Sequence, residues 1–278
     1  IKIQHVIADI TGKSGQEIVK SIIAGERNAE ILASCCDSRI RAHKKEGIIK
    51  SLTGVWKEEH VFELEQSYSI YQFYHAKLKE CDAKIEEHLR EKSGVDTFVE
   101  PQKKEKSNKN NLNFNGKEML YELTGTDLAE IFGITETNAI EIISEVGLDM
   151  SKWPTVKHFT SWLNLAPNNK ISGGKVLSSR IPKKKNHAGQ IFRMAAFAIQ
   201  RSKNWLAMFY NRIKAKNGAP KAIVATARKI AAIFYKMIKE RVKFNPIPIE
   251  KYMDGFKENQ IKKLKRQAKN LGLQIVEM

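Results

Sequence analysis

Apolar residues recur every three or four positions along most of the chain, and this spacing predicts a mainly α-helical fold. Strand-type alternation of apolar and polar residues is nearly absent. In the first third, the pattern predicts short helices in "TGKSGQEIVKSIIAGE", "RNAEILASCCDSRI" and "EGIIKSLTG". Ser14, followed three residues later by Glu17, is typical of a capping box at a helix start, and Gly25 indicates a helix end.

One long helix is predicted over about residues 58–92. His75 and Asp82 fall on the same stripe as its apolar residues. The stripe follows a spacing of three and four and consists of Val61, Leu64, Tyr68, Tyr71, Leu78, Ile85 and Leu89. This pattern is typical of an antiparallel helical hairpin or a coiled-coil seam with polar register positions. We interpret the aromatic residues as packing surface rather than as a ligand site.

The composition changes after this helix. Residues 93–116 are rich in Lys, Asn and Ser and lack periodicity, which predicts a flexible linker. We therefore expect three parts: a central helical region with a coiled-coil-type helix (residues 1–92), the linker (93–116) and a C-terminal helical domain (117–278).

The stretch "LTGTDLAEIFGITETNAIEIISEVG" predicts two helices around a tight turn at Gly133. It resembles a helix-hairpin-helix, which presents backbone N–H groups to a DNA phosphate. A helix–glycine–helix arrangement is also common as plain packing, so both interpretations stay open. Further helices are predicted after a cap at Ser151 or Thr155, over residues 187–216, from Pro220 onward, and over about residues 254–271.

Positive charge is concentrated in the second half of the chain. The net charge is +17, yet residues 1–100 hold 15 Lys or Arg against 17 Asp or Glu. Residues 151–245 hold 21 Lys or Arg and a single carboxylate, that of Glu240. Such a surface repels itself unless a polyanion neutralises it, so nucleic acid is the leading partner. An anionic membrane surface is the second candidate partner. It ranks lower because these lysines are interleaved with core-type helices and do not lie on one free amphipathic helix.

The stretch "LAPNNKISGGKVLSSRIPKKKNHAG" (residues 165–189) combines one hydroxyl, Ser172, with two glycines and six cations. A serine attacks a phosphate only after a base or metal takes its proton, and phosphoryl transfer needs cations around the phosphate oxygens. Gly173 and Gly174 would let a phosphate approach the backbone. The plainer interpretation is a solvated basic loop. The candidate nucleic-acid contacts are Lys170, Gly173, Gly174, Lys175, Arg180, Lys183, Lys184, Lys185, Arg193, Arg201 and Lys203.

A divalent metal site needs several carboxylates, and residues 151–239 contain none. Glu141 and Glu145 have the phase of a solvated helix face. His158 and His187 lack an obvious carboxylate partner and are interpreted as phosphate contacts or helix-end residues. Cys35, Cys36 and Cys81 have no zinc-type spacing and indicate reduced thiols. No apolar run approaches the roughly 18–20 residues of a membrane span. With nucleic acid as the leading partner, we expect no membrane partner.

The segments "ISEVGLDMSKWPTVKHFTSWLNLAPNNKISGGKVLSSR" and "KNHAGQIFRMAAFAIQRSKNWLAMFYNRIKAKNGAPKAIVATARKIAAIFYKMIK" resemble the C-terminal domain of DEDD-type insertion-sequence transposases of the IS110 family. The similarity covers about residues 120–271. The N-terminal segments "VIADITGKSGQEIVKSIIAGERNAEILA" and "LTGVWKEEHVFELEQSYSIYQFYHAKLKECDAKIE" are similar to the central helical region of one branch of that family.

The resemblance implies a serine recombinase guided by a bridge RNA, in which Ser172 attacks DNA and forms a phosphoserine intermediate. It implies DNA and a structured guide RNA as partners, a homo-oligomer, and a cytoplasmic, nucleoid-associated bacterial protein. In that family an N-terminal RNase-H-like domain binds Mg²⁺ through four acidic residues. We expect that domain to be missing here, and therefore expect no cofactor within the chain and a truncated enzyme that is inactive alone. The alternative is a non-catalytic basic helical module that binds structured RNA or DNA.

Overall fold

The computed structural model describes residues 2–93, 112–181 and 185–273. These residues are 70% helical and form eleven α-helices and a small two-stranded sheet, which confirms the mainly α fold. The elements are α1 (Lys13–Ile23), α2 (Ala29–Ser34), α3 (Ser38–Leu52), α4 (Glu58–Ser93), α5 (Gly116–Thr124), α6 (Glu136–Val146), α7 (Val156–Trp162), β1 (Lys170–Ser172), β2 (Lys175–Ser178), α8 (His187–Ala198), α9 (Trp205–Asn217), α10 (Ala219–Glu240) and α11 (Ile249–Asn270). Short 3₁₀ turns occur at Ile3–His5, Leu128–Glu130, Met150–Lys152 and Ile199–Arg201.

The described chain forms two compact units, residues 1–83 and 84–278. Most of the predicted linker lies outside the described residues. The predicted domain limits at residues 92 and 117 therefore stay a prediction.

The first unit has a small core made by α1, α2 and α3. Ile18, Leu32, Ile48 and Leu52 are fully buried there, and Leu64 of α4 packs against them. The predicted long helix is confirmed as α4, which begins at Glu58. Leu78, farther along the predicted seam, is exposed. The coiled-coil partner of this stripe stays a prediction.

The capping box predicted at Ser14 is wrong. Gly12 is the N-cap of α1, and Ser14 lies inside the helix and is buried. Its hydroxyl accepts a hydrogen bond from the backbone N–H of Asp37 at 2.9 Å. Since this contact bridges 23 residues of sequence, local spacing could not reveal it. The helix end at Gly25 is confirmed by its left-handed φ of +100°.

The second unit is built around α10, which packs against α7, α8 and α9. Phe234 and Ala231 of α10 are fully buried, and the ring of Phe234 meets that of Phe192 of α8 edge-on at 5.4 Å. The hydroxyl of Tyr235 donates to the backbone oxygen of Trp153 at 2.6 Å. Alanines along α10 permit this close approach of helices. The helix that follows β2 in the chain, α8, therefore packs on a buried core.

The single helix predicted over residues 187–216 is wrong. The chain leaves α8 through a 3₁₀ turn and adopts an extended backbone at Ser202 before α9 begins. The buried side chain of Asn204 accepts a hydrogen bond from the N–H of Ala207 at 2.9 Å and caps α9. Asparagine stabilises a helix start better than a helix interior, which explains the break. The last helix also begins earlier than predicted, at Ile249.

Gly133 lies against α8. It has a φ of +85°, and a Cβ built on it would lie 2.6 Å from the backbone oxygen of Ala195 and 2.7 Å from Cγ2 of Ile199. The start of α6 is closed by a capping box between Thr135 and Asn138. Both observations support packing at this glycine turn over phosphate binding.

Candidate nucleic-acid interface

Ser172 lies at the end of β1 in a short exposed hairpin. β1 and β2 pair antiparallel, with Ser172 opposite Lys175. The turn between them is Gly173–Gly174, with φ of +53° and +73°. Two successive left-handed residues give a turn whose twist matches that of the strands, and glycine adopts both without strain. The sequence interpretation missed this hairpin, although two glycines between short strand-like runs are a signal for it.

The hairpin leaves the Ser172 hydroxyl accessible. All three residues of β1 are exposed, and a Cβ built on Gly173 or Gly174 meets nothing within 4 Å. Within the described residues, no group hydrogen-bonds to the Ser172 side chain. A phosphate can therefore reach the hydroxyl and the turn backbone, while activation of the hydroxyl needs a further group.

Four of the predicted cations surround this hairpin on the chain and are exposed: Lys170, Lys175, Arg180 and Lys185. In the described part of the chain, none of them forms an ion pair with a carboxylate. The backbone oxygen of Arg180 accepts from the N–H of Asn168 at 3.0 Å, which ties together the two ends of the hairpin. Lys183 and Lys184 lie outside the described residues.

The three predicted cations beyond the hairpin differ in their surroundings. Arg193 of α8 is half-buried, and its Nη2 donates to the backbone oxygen of Asn164 at 2.8 Å. Burial lowers the pKa of its guanidinium from the ordinary value. Arg201 and Lys203 are exposed between α8 and α9. Arg193 thus holds the end of α7, and a nucleic-acid role for all three stays a prediction.

A carboxylate occupies the N-terminus of α8, where the basic stretch ends. Glu145 of α6 accepts a hydrogen bond from the N–H of Ala188 at 2.5 Å, and its Oε2 lies 3.6 Å from Nδ1 of His187. Asn186 caps the same helix by accepting from Gly189. Glu145 is exposed as predicted, yet it has partners on α8, and the interpretation of His187 as lacking a carboxylate partner is wrong. The contact spans 43 residues of sequence, so helical phase alone could not show it.

Replacing Glu145 with Gln is expected to lower the free energy of unfolding by about 0.5–1 kcal/mol. A carboxylate stabilises the positive end of a helix, and the neutral amide keeps the shape while removing the charge. Urea denaturation measures the effect. Glu141→Gln is the matched control on the same helix, because the Glu141 side chain has no partner among the described residues. Equal stability of both variants would contradict the role given to Glu145.

The described residues do not fit a divalent metal site. Within the ranges that the structure describes, no group of three or more His, Cys, Asp or Glu side chains could hold a metal ion. The chain on either side of Ser172 supplies no carboxylate from residue 151 to residue 239. Mg²⁺ prefers carboxylate and water oxygens, which the hairpin and its cations do not offer.

The helices and hairpin that carry the predicted site coincide with a known family domain. Residues 125–211 match the transposase IS116/IS110/IS902 family. The segment of the chain that matches this transposase family contains Ser172 and every predicted nucleic-acid contact. It supports a transposase role for the chain, and a transposase acts on DNA. Comparison with curated proteins found no match. Among the helices that the structure describes, none combines the length and the apolarity needed to cross a membrane.

Proposed function

We propose that the protein is a DNA transposase of the IS110 type in which Ser172 is the nucleophile. The observation that carries this proposal is the position of Ser172. It lies inside the segment that matches the transposase family, on an exposed glycine turn, with Lys170 and Lys175 beside it. The family resemblance supports the same serine as the attacking group.

In the proposed step, Oγ of Ser172 attacks the phosphorus of a DNA phosphodiester. A bond forms between Oγ and phosphorus, the bond from phosphorus to one sugar oxygen breaks, and that sugar leaves as a hydroxyl. The serine proton passes to a base, and the leaving oxygen takes up a proton. The product is a phosphoserine bond that joins the protein to one DNA end and conserves the energy of the phosphodiester for rejoining.

The chain around Ser172 supplies binding and charge for this step. Lys170 and Lys175 would neutralise the non-bridging oxygens as negative charge develops on them. The open turn at Gly173 and Gly174 lets the backbone N–H groups approach the same phosphate. Activation of the hydroxyl would come from acidic residues outside the matched segment, which in the resembling family hold Mg²⁺. We further propose a structured guide RNA and a second copy of the chain as partners, with the protein associated with the bacterial nucleoid.

A second candidate function is nucleic-acid binding without catalysis. In the described residues, Ser172 has no hydrogen-bonded base and no metal-binding group occurs. Both observations favour a non-catalytic module that binds structured RNA or DNA. The two functions share the basic hairpin and differ only in what Ser172 does.

Binding of duplex DNA is expected to depend steeply on salt, and the hairpin lysines are expected to carry part of that dependence. Each neutralised phosphate contributes about 0.9 to the slope of log affinity against log salt. The double variant Lys170→Ala/Lys175→Ala should therefore lower the slope by about 2. Fluorescence anisotropy of a labelled duplex across a salt series measures it.

The matched control is Lys77→Ala/Lys84→Ala, which removes the same charge from α4. Those two lysines pair with Glu80 and Glu87, so the slope should stay unchanged. An equal loss in both double variants would show that net charge alone governs binding and would contradict the hairpin as the contact.

A further inference from the structure

A second group of cations, separate in sequence from the hairpin, lies in a cleft between α9 and α11. The cleft has a volume of about 640 Å³ and is lined by Arg212, Lys251, Tyr252 and Phe256, among others. Volumes of about 300–1,000 Å³ are typical of sites for small organic groups. Two aromatic rings therefore share one cleft with two cations.

Arg212 in this cleft and Lys229 beside it lie over aromatic rings. The guanidinium of Arg212 lies 4.4 Å from the ring centre of Phe256 and 5.6 Å from that of Tyr252. Behind them, Lys229 of α10 lies 4.8 Å from the ring centre of Phe209, which Arg212 also approaches at 5.4 Å. Arg212 and Lys229 thus approach the same ring from α9 and α10.

These like charges lack an anionic partner. In the part of the chain that the structure describes, no carboxylate forms an ion pair with Arg212, Lys229 or Lys251. Burial and the neighbouring Arg212 both lower the pKa of Lys229. Like charges held together in a partly buried place are stabilised by an anion, so the cluster is suited to a negatively charged ligand.

The charges along α11 change sign within one row of the helix. Glu250, Asp254 and Glu258 recur every four residues, and Lys262 and Arg266 continue the same spacing toward the end of the helix. Lys251 lines the cleft. The cations available to a phosphate in the cleft are therefore Arg212 and Lys251.

We propose that the cleft between α9 and α11 binds an unpaired nucleotide of a nucleic-acid strand. The base stacks on Phe256 and Tyr252, and its phosphate lies against Arg212 and Lys251. Every base has a flat face that stacks on aromatic rings, and cations beside the rings track the backbone, so this combination is suited to single strands. The inference rests on the proposed nucleic-acid function and adds a site for unpaired strands to it.

The test uses the whole chain and short single strands that carry one 2-aminopurine, in a deoxyribose and a ribose version. A matched strand carries an abasic residue at the same position. Phe256→Leu is expected to weaken binding of the base-containing strand about 5- to 20-fold and to leave binding of the abasic strand unchanged. The fluorescence of 2-aminopurine should fall on binding to the unchanged protein and not on binding to the variant. The two sugar versions show whether DNA or RNA is the preferred source of the nucleotide.

Phe244→Leu is the control for general effects of ring loss, since Phe244 packs on Phe132 outside the cleft. A second pair avoids any folding defect: Lys251→Ala should lower the single-strand salt slope by about 0.7, and Lys257→Ala on the same helix should not. Equal binding of base-containing and abasic strands by the unchanged protein, with unaltered fluorescence, would overturn the cleft as a nucleotide site. If duplex binding persists in that case, the proposed transposase function stands. Loss of binding to every nucleic acid would overturn both.

Discussion

Replacing Ser172 with Ala is expected to reduce mobilisation of the parent element about 1,000-fold or more, because the variant has no atom that can form the phosphoserine bond. The hairpin should fold as before. Ser172 is exposed, and its side chain has no hydrogen-bond partner among the described residues. A plasmid excision and insertion assay in cells measures the frequency, and nucleic-acid affinity should remain close to that of the unchanged protein.

The matched control is Ser179→Ala, which removes an exposed hydroxyl just after β2 in the same basic stretch. It should leave mobilisation within about 2-fold, since the loss of an uninvolved surface hydroxyl has little effect. Mobilisation by Ser172→Ala at the frequency of the control would favour the non-catalytic module. An equal large loss in both variants would show that the hairpin matters for binding rather than for chemistry.

Gly133→Ala is expected to lower the free energy of unfolding of the second unit by about 2–4 kcal/mol. The new Cβ would lie 2.6 Å from the backbone oxygen of Ala195, and the left-handed backbone at φ of +85° is itself strained for alanine. To relieve this clash, the turn before α6 would have to move away from α8. Thermal and urea denaturation measure the change.

Gly125→Ala separates backbone strain from the clash. Gly125 has a left-handed backbone with a φ of +71°, but its Cβ would meet only the Arg241 side chain, at an ordinary contact distance of 3.6 Å. We expect a loss of about 1–2 kcal/mol there. If the two variants lost equal stability, the close approach of Gly133 to α8 would not be a packing requirement.

The sequence predicted best the helix in which an apolar pattern repeats over many turns. α4 follows an apolar stripe over many turns, so its limits could be read from spacing alone. Pro220 lies in the first turn of α10 as predicted, and Thr155, one of the two candidate caps, is the N-cap of α7. Both residues act on their own helix, so sequence could indicate them. Phe159 is fully buried whereas Trp162 on the same helix is 41% exposed, because tertiary packing decides which side of so short a helix is covered.

The candidate site was also predicted only in part from the sequence. Residue types and glycines around Ser172 predicted a cation-rich turn, yet the hairpin itself was missed because strands of three and four residues are too short to show alternation. The contact of Glu145 with α8 was missed because it joins distant segments. The cleft at Arg212 was missed for a similar reason, since Arg212 comes from α9 while both rings and Lys251 come from α11.

The most direct measurement is to map the covalent bond between protein and DNA. Cells in which the chain and its parent element support mobilisation would be lysed in denaturant, the protein treated with nuclease and trypsin, and the peptides analysed by mass spectrometry. We expect a nucleotide attached to the peptide that contains Ser172, and none in the Ser172→Ala variant. A nucleotide on any other residue, or strand cleavage without a protein-bound nucleotide, would contradict it.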